Sequence, residues 1–377
     1  MEFLGDLWTY LVPFLFVLTV LVFVHEMGHY LVARWCGVAV ETFSIGFGHE
    51  LFHWHDSKGT RWRVGWLPLG GYVKFLGDAD AASVRSTNIS EVSPKERANY
   101  FQEKSLGVRT AVVSAGPIAN FLLAIVLLTG LFAIVGQPFT PPVIHEVLPN
   151  TAASAAGFQA GDRIVEIDGQ GIDRFEEMQQ VIMSSPGQLL VMIVERESNE
   201  LQLEVTPGVR TLTDRFGNVH KVGFLGVQRS GVNFIRHDPL SAVWYAVEQT
   251  YTFTAMTLRY VGQMIVGLRS SDDLRGPIGI VQMSGQAAQI GVTSVVQFMA
   301  VLSISLGLIN LFPIPVLDGG HLLFYAFEAV RGKPLGERAQ EYGFRVGLAL
   351  VVGLMMVATW NDLVQLEVFE YVVRLFS

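Results

Sequence analysis

Residues 22–30 read Val-Phe-Val-His-Glu-Met-Gly-His-Tyr, and the rest of the chain must be arranged around this stretch. On a helix, side chains four positions apart lie on one face, so His25 and His29 can offer imidazole nitrogens to one metal ion. Glu26 lies about 100° further round the helix, where its carboxylate can take a proton from water that the metal activates. The H-E-x-x-H pattern therefore predicts a hydrolytic metal centre.

The metal pattern lies at the end of an apolar segment. Residues 11–21 read Leu-Val-Pro-Phe-Leu-Phe-Val-Leu-Thr-Val-Leu, as expected for the start of a membrane span. Imidazoles and a carboxylate without partners cost several kcal/mol of lost hydration in such a place. Polar groups there are functional by default. The alternative is a chance occurrence of the five-residue pattern without a metal, and the desolvation cost weighs against it.

The composition indicates an integral membrane protein with room for one soluble domain. Of the 377 residues, 50% are hydrophobic and 16% are charged, whereas an average soluble domain has about 25% charged residues. The net charge of −8 and the lack of a basic stripe argue against a nucleic-acid-binding protein. Because Cys36 is the only cysteine, any metal must be held by histidine and carboxylate.

Changes in polarity divide the chain into four parts. We expect a multi-span α-helical membrane protein with four transmembrane helices, a membrane-associated β-hairpin and one inserted α+β domain. The expected parts are a membrane core in two pieces (1–136 and 293–377), the inserted domain (137–231) and an amphipathic, non-spanning segment (232–292). The expected spans are residues 7–32, 108–135, 293–312 and 342–360.

A β-loop is expected at residues 60–77, between the first two spans. Residues 61–67 and 71–75 alternate as strands do, and a Pro-Leu-Gly turn at 68–70 separates them. Aromatic residues crowd this hairpin, which suits a membrane interface. A small surface hairpin without such a role is the alternative.

The inserted domain shows short apolar runs between turn signals. Its pattern predicts a helix at 173–184 and a hairpin formed by residues 189–195 and 201–206 around Ser198-Asn199. Further strands are expected at 143–147, 161–169 and 222–227. These elements make an α+β module of fewer than 100 residues.

A second chemically marked stretch, residues 310–321, reads Asn-Leu-Phe-Pro-Ile-Pro-Val-Leu-Asp-Gly-Gly-His. Its prolines break a helix at membrane depth, and Asp318 follows on the unwound turn. Asp318 is either the N-cap of a helix over 322–330 or a third metal ligand. The residues by themselves leave both possibilities open.

The ligand positions constrain the membrane topology. His25, His29 and Asp318 all lie at C-terminal ends of spans, so a shared metal requires those two spans to run in the same direction. One span lies between them, and therefore segment 232–292 cannot cross. Basic residues load the loops at 37–108 and 331–345, which places these loops in the cytoplasm and the inserted domain and both termini outside.

Together these segments resemble the site-2 protease family of intramembrane zinc peptidases. The shared patterns are H-E-x-x-H at 25–29, G-P-x-A-N-F at 116–121 and N-x-x-P-x-P-x-L-D-G at 310–319. The inserted domain resembles a PDZ domain through Ala-Ala-Gly-Phe at 155–158 and Gly-Asp-Arg-Ile at 161–164. The chain resembles most the bacterial regulator of sigma-E protease type. Many enterobacterial members of that type carry two tandem PDZ modules, whereas this chain has room for one.

The resemblance implies one Zn²⁺ per chain, held by His25, His29 and Asp318, with Glu26 as the catalytic base. It also implies that Asn310 and the β-loop bind substrate. The β-loop residues concerned are Gly70, Gly71, Tyr72, Val73, Lys74 and Phe75.

The activity implied by the resemblance is regulated intramembrane proteolysis. A peptide bond within the transmembrane segment of a single-span protein, such as an anti-sigma factor, is cut after a first cleavage elsewhere. The expected partners are such single-span proteins, signal-peptide remnants and the lipid bilayer of the bacterial inner membrane, with no nucleic acid. The alternative is a catalytically silent zinc-binding scaffold whose PDZ domain captures chain ends, and the presence of Glu26 and all three ligands argues against it.

Overall fold

The computed structural model describes residues 2–77, 97–213, 219–229, 231, 233–267 and 274–365. The chain forms two compact units. The first combines Met1–Leu131 with Asp238–Ser377, and the second is Phe132–His237. The second unit is therefore an insertion in the first.

The first unit is built mainly from helices. In the part of the chain that the structure describes, four of them are long and apolar enough to cross a membrane, and they correspond to the four predicted spans. They are α1 (Glu2–Trp35), α2 (Leu106–Ile134), α7 (Val292–Asn310) and α9 (Glu337–Gln365). The unit also contains α5 (Pro239–Ile265), α6 (Pro277–Ile290), α8 (Asp318–Arg331) and a 3₁₀ turn at Phe101–Glu103.

Helix α5 has two faces of different character. Its start is fixed by Asp238, whose side chain accepts hydrogen bonds from the first free backbone N–H groups, and by a proline at its first position. Ala242, Ala246 and Thr250 form a buried stripe at four-residue spacing, whereas Trp244 is exposed.

Helix α6 is anchored at its N-terminus by a carboxylate from another helix. Both oxygens of Asp362, on α9, accept backbone hydrogen bonds, from Gly276 at 3.0 Å and from Gly279 at 2.9 Å. The Asp362 side chain is buried, and a negative charge at a helix N-terminus is stabilised by the helix dipole. The short Gly-Pro-Ile-Gly stretch at 276–279 is thus hydrogen-bonded to α9.

The β-loop differs from the predicted hairpin. Strand β1 (Val40–His55), which the sequence pattern did not predict, pairs with β2 (Arg61–Phe75). Strand β2 runs through Pro68, so the predicted turn at 68–70 is wrong. The two halves of β2 do not pair with each other; each pairs with β1, and Phe43 has both Val73 and Trp62 as partners.

The reason for this arrangement is the burial of Phe43. Its ring is fully buried and stacks on Trp62 with ring centroids 4.4 Å apart. It also meets the edges of the Phe23 and Tyr30 rings from α1. An aromatic side chain in this position dominates the local core, so the segment that carries it lies between both halves of β2.

The inserted unit contains a four-stranded sheet in the order β6-β5-β7-β8. Helices α3 (Ala152–Ala155) and α4 (Phe175–Ser184) accompany it. The sheet strands are β5 (Arg163–Ile167), β6 (Gln170–Gly171), β7 (Leu190–Arg196) and β8 (Asn199–Val205). Three two-stranded ladders complete the unit: β3 (Gln137–Phe139) with β12 (Asn233–Ile235), β4 (Ile144–Val147) with β11 (Val227–Arg229), and β9 (Gly208–Thr213) with β10 (Val219–Phe224).

Most of the predicted elements of the inserted unit are present. The predicted hairpin is confirmed, but its two-residue turn is Glu197-Ser198, both at positive φ, one residue before the predicted Ser198-Asn199. The predicted single strand at 222–227 is wrong, because the chain turns at Gly226, which has a φ of 88°. A side chain there would also clash with Thr151, so two short strands replace one.

In the first unit, α1 and α2 cross where both helices carry small residues. A Cβ added at Gly28 would clash with the carbonyl oxygen of Ala115 and lie 2.7 Å from the Cβ of Ala119. Small residues let two helix backbones approach closely, as is common in membrane helix pairs. This crossing sets the distance between the helix that carries His25 and the helix behind it.

We predict that Gly28→Ala lowers the free energy of unfolding of the detergent-solubilised protein by about 1–3 kcal/mol, because the backbone of α2 must move away. The melting temperature should fall accordingly. The matched control is Gly130→Ala on α2, where an added Cβ meets nothing within 4 Å. That control is expected to keep or slightly raise the melting temperature, since alanine favours helix by about 1 kcal/mol over glycine. Equal melting temperatures for the two variants would contradict this account of the crossing.

Candidate metal centre

Helix α1 places its two histidines side by side. The Nε2 atoms of His25 and His29 are 3.2 Å apart, and both side chains are buried. Their spacing of four residues puts them on one face, as the sequence predicts.

Asp318 joins the two histidines from the start of α8. Its Oδ2 atom lies 3.2 Å from Nε2 of His25 and 3.5 Å from Nε2 of His29. Although Oδ2 of Asp318 lies close to both Nε2 atoms, it is buried and accepts no well-aligned hydrogen bond. Leu317 is the residue at the N-cap position, so Asp318 does not cap the helix.

The backbone before Asp318 is strained. Val316 has a φ of 101°, a conformation that β-branched residues rarely adopt. Gly319 and Gly320 follow, and a Cβ at either position would meet the carbonyl oxygens of the preceding turn, such as Ile314 O at 2.5 Å from position 320. The broken helix is thus folded tightly on itself, and this brings the carboxylate to the histidines.

The arrangement fits a zinc ion. Two nitrogens bound to tetrahedral zinc at about 2.05 Å lie about 3.3 Å apart, close to the separation of the two imidazole nitrogens. The buried Oδ2 without a hydrogen bond is the kind of atom that a metal satisfies. Among the described residues, His25, His29 and Asp318 form the group of three whose ligand atoms lie close enough to share one ion.

Helix α2 lies directly behind the histidines. The Nδ1 atom of His29 donates to the carbonyl oxygen of Val112 at 2.8 Å, and Nδ1 of His25 faces the side-chain amide of Asn120 at 3.1 Å. Between these two contacts, a Cβ at Gly116 would clash with the His29 ring. The Gly-Pro pattern at 116–117 therefore marks the point where α2 touches the metal centre.

A cavity of about 220 Å³ opens onto these residues. Of the predicted site residues it brings together His25, Glu26, His29, Gly71, Tyr72, Val73, Phe75, Asn310 and Asp318. Two of the predicted β-loop residues do not line it. Gly70 packs against the ring of Phe47, and Lys74 forms an ion pair with Glu41 at 3.1 Å.

The end of β2 lies against Glu26. The backbone of Val73 lies close to the Glu26 carboxylate, and a Cβ at Gly71 would lie 3.2 Å from Cγ of the same glutamate. Residues 71–75 pair with β1 along one edge only in the described part of the chain. Gly71, Tyr72, Val73 and Phe75 line the cavity, so the end of β2 borders the metal centre.

His321 also lines the cavity, one helical turn beyond Asp318. Its ring packs against Phe344, with centroids 5.4 Å apart. The sequence carries this histidine at the end of the Asp-Gly-Gly-His stretch, which is the only signal for it.

A second H-E-x-x-H pattern occurs at 49–53, and it makes no comparable centre. It lies on strand β1, where four residues span about 13 Å, so His49 and His53 cannot share an ion. Glu50 instead pairs with Arg61 at 2.8 Å and contacts His53. A helix is thus needed for the pattern to form a metal site.

The Peptidase family M50 model matches residues 13–354 of this chain. A protein of Agrobacterium fabrum named as a zinc metalloprotease is 49% identical over 365 residues, which cover 95% of this chain and 97% of that protein. Metalloprotease MmpA of Caulobacter vibrioides is 39% identical, covering 97% of this chain and 98% of its own.

Protease RseP of Yersinia pestis is 33% identical over 458 aligned residues, covering 94% of this chain and 98% of that protein. The alignment is longer than this chain of 377 residues, so RseP contains residues without a counterpart here. Among solved structures, the PDZ domain of an SdrC-like protein from Listeria innocua covers 25% of this chain and 98% of its own, at 20% identity and a TM-score of 0.20.

The family match covers residues 13–354 and so includes every residue of the candidate metal centre. The relatives cover nearly the whole chain and share the name of zinc metalloprotease or of a protease. The chain therefore belongs to Peptidase family M50, the site-2 protease family, and is a zinc metalloprotease.

Proposed function

We propose that this enzyme cuts a peptide bond within the transmembrane segment of single-span membrane proteins, after a first protease has shortened them. The observation that carries the proposal is the meeting of His25, His29 and Asp318 beside Glu26, at the end of an apolar helix. A hydrolytic centre at that place serves a substrate that lies in the membrane.

In this proposal His25, His29 and Asp318 hold the zinc ion. Three protein ligands leave one position of a tetrahedral site open, as catalytic zinc sites require. Zinc in such a site supplies Lewis acidity, which polarises a carbonyl group and lowers the pKa of water to about 7.

Glu26 is the proposed general base. It lines the cavity beside both histidines, where it can accept the proton of the attacking water and pass it to the leaving amine. The backbone of Val73, at the end of β2, lies beside its carboxylate.

Substrate binding is assigned to the edge of β2 and to Asn310. A peptide bond in a helix has its amide groups satisfied, so a substrate must unwind before it is cut. The free edge of residues 71–75 offers backbone groups to an extended chain beside Glu26, as in strand addition. Asn310 lines the same cavity and can hydrogen-bond the substrate backbone.

The proposed location is the bacterial inner membrane, with the active site near the cytoplasmic side and the inserted unit outside. RseP-type relatives and the four apolar helices support this location. A relative from Salmonella typhi is named regulator of sigma E protease. We extend from that name the substrate class of anti-sigma-factor-like proteins, and from the resemblance of the inserted unit the role of a PDZ domain.

We predict that Glu26→Gln keeps the zinc and abolishes cleavage, because an amide holds position without accepting a proton. The measurement combines zinc content after gel filtration with cleavage of a single-span substrate. A variant with full zinc content that cuts at near the native rate would show that Glu26 is not the base.

We also predict that Asp318→Ala weakens zinc binding strongly, whereas His321→Ala weakens it far less. Both side chains line the cavity, but the Asp318 carboxylate is the one that lies against both histidines. Metal analysis of the two purified variants decides the question. Equal loss of zinc from both would mean that the third ligand is misassigned.

A further prediction concerns α5, which we propose does not cross the membrane. In a Cys36→Ser background, cysteines at Leu240 and Ile265, both strongly exposed, should react with an impermeant thiol reagent added on the periplasmic side. A cysteine at Lys58, in the proposed cytoplasmic β-loop, is the control that should stay unlabelled. Labelling at only one end of α5 would contradict the proposed topology.

A further inference from the structure

The two histidines of the metal centre are held from behind by groups of different kinds. His29 donates from Nδ1 to the backbone carbonyl oxygen of Val112 at 2.8 Å. Because a carbonyl oxygen can only accept, the proton of the neutral ring stays on Nδ1 and Nε2 keeps its lone pair for a metal. His25 instead faces the side-chain amide of Asn120 at 3.1 Å. An amide presents a donor or an acceptor according to how it is turned.

Asn120 is completely buried in α2. Its backbone carbonyl oxygen accepts a hydrogen bond from the hydroxyl of Ser303 on α7, at 2.7 Å, so this turn of α2 is fixed from the other side. Its side-chain Oδ1 is buried without a hydrogen-bond partner, while Nδ2 is turned to His25. With Nδ2 as donor, the proton of a neutral His25 ring has to sit on Nε2, the atom that must bind the metal.

We propose that Asn120 is a positioning residue that selects the metal-binding tautomer of His25. With zinc bound, the amide is turned so that Oδ1 accepts the proton of His25 Nδ1. The buried oxygen then gains a partner, and His25 matches His29. The inference rests on the proposed ligand set of His25, His29 and Asp318.

The hydrogen bond from His25 to Asn120 should raise the zinc affinity of the site. Groups that accept a hydrogen bond from metal-bound histidines typically contribute about 10–100-fold to affinity. For His29 the acceptor belongs to the backbone and cannot be removed by substitution. For His25 it is a side chain, so its contribution can be measured directly.

The experiment measures zinc affinity of the full-length, detergent-purified chain by competition with a chromophoric chelator. Asn120→Leu keeps the size and removes the acceptor, and it should weaken zinc binding by about 10–100-fold. Asn120→Asp has acceptor atoms only, and it should bind zinc close to the native value. Thr129→Val is the matched control, since it removes another buried polar atom without a partner from the same helix, and it should leave affinity unchanged.

The Asp variant separates positioning from packing. If Asn120 served only to fill space or to satisfy polarity, a buried carboxylate would harm the protein at least as much as leucine. Native-like affinity of Asn120→Leu, or equal weakness of the Leu and Asp variants, would overturn the proposal.

A second comparison covers the case in which Asn120→Leu fails to fold. Asn120→Gln keeps the amide and moves it by one methylene group, so it should bind zinc more weakly than Asn120→Asp. In the Co²⁺-substituted protein, the visible absorption of tetrahedral cobalt should be retained by the Asp variant and diminished in the Gln variant. Equal affinities and spectra for the two would overturn the proposal.

His25→Ala is measured in parallel, because it tests the ligand set itself. If His25→Ala bound zinc as the native protein does, the proposed ligand set would be wrong and the inference would fall with it. If His25→Ala lost zinc while Asn120→Leu kept it, the ligand set would stand and the role of Asn120 would be overturned.

Discussion

The structure depends on bringing three polar side chains to one point in an apolar helical core. Each of these groups is costly to bury unless it is paired or binds a metal. A single helix supplies two of them, because His25 and His29 lie one turn apart. The third has to come from another segment at the same depth, and the broken helix before Asp318 supplies it through a tight, strained turn.

The rest of the first unit follows from that requirement. Helix α2 can stand behind the histidines only because Gly28 and Gly116 leave room for the two helices to cross. The same crossing puts one hydrogen-bonding group behind each imidazole ring: the carbonyl oxygen of Val112 behind His29 and the side-chain amide of Asn120 behind His25. On the open side, the end of β2 lies beside Glu26 and lines the same cavity. A side chain at Gly28 would collide with the backbone of α2, and one at Gly116 would collide with the histidine rings.

Much of this arrangement was predictable from the sequence, because local patterns carry it. Helix periodicity predicted the pairing of His25 with His29, and apolar length predicted the four long helices. The residues left Asp318 open between a helix cap and a third ligand, and the family resemblance implied the ligand; in the structure its carboxylate lies beside both histidines.

Pairing over longer range was less predictable. The pattern at 61–75 predicted a hairpin whose two strands pair with each other. In the structure both halves of β2 pair instead with β1, around the buried Phe43. The alternation of residues within 61–75 does not predict a contact with a residue outside that segment. The partners of Asn120 and the place of His321 in the cavity depend on how separate helices pack, which spacing does not encode. The second H-E-x-x-H pattern, at 49–53, shows that the motif alone does not predict a metal site. It lies on a strand, where the same spacing places the two histidines too far apart to share an ion.

The central claim is that this metal centre cuts a peptide bond inside a membrane span. The most direct test incubates the purified, zinc-loaded chain with a single-span protein of the anti-sigma-factor type, shortened on its outer side, and maps the cut by mass spectrometry. The account predicts one cut within the apolar segment, lost when a chelator removes the zinc and regained when zinc is returned. A cut outside the apolar segment, or cleavage that continues in zinc-free protein, would contradict it.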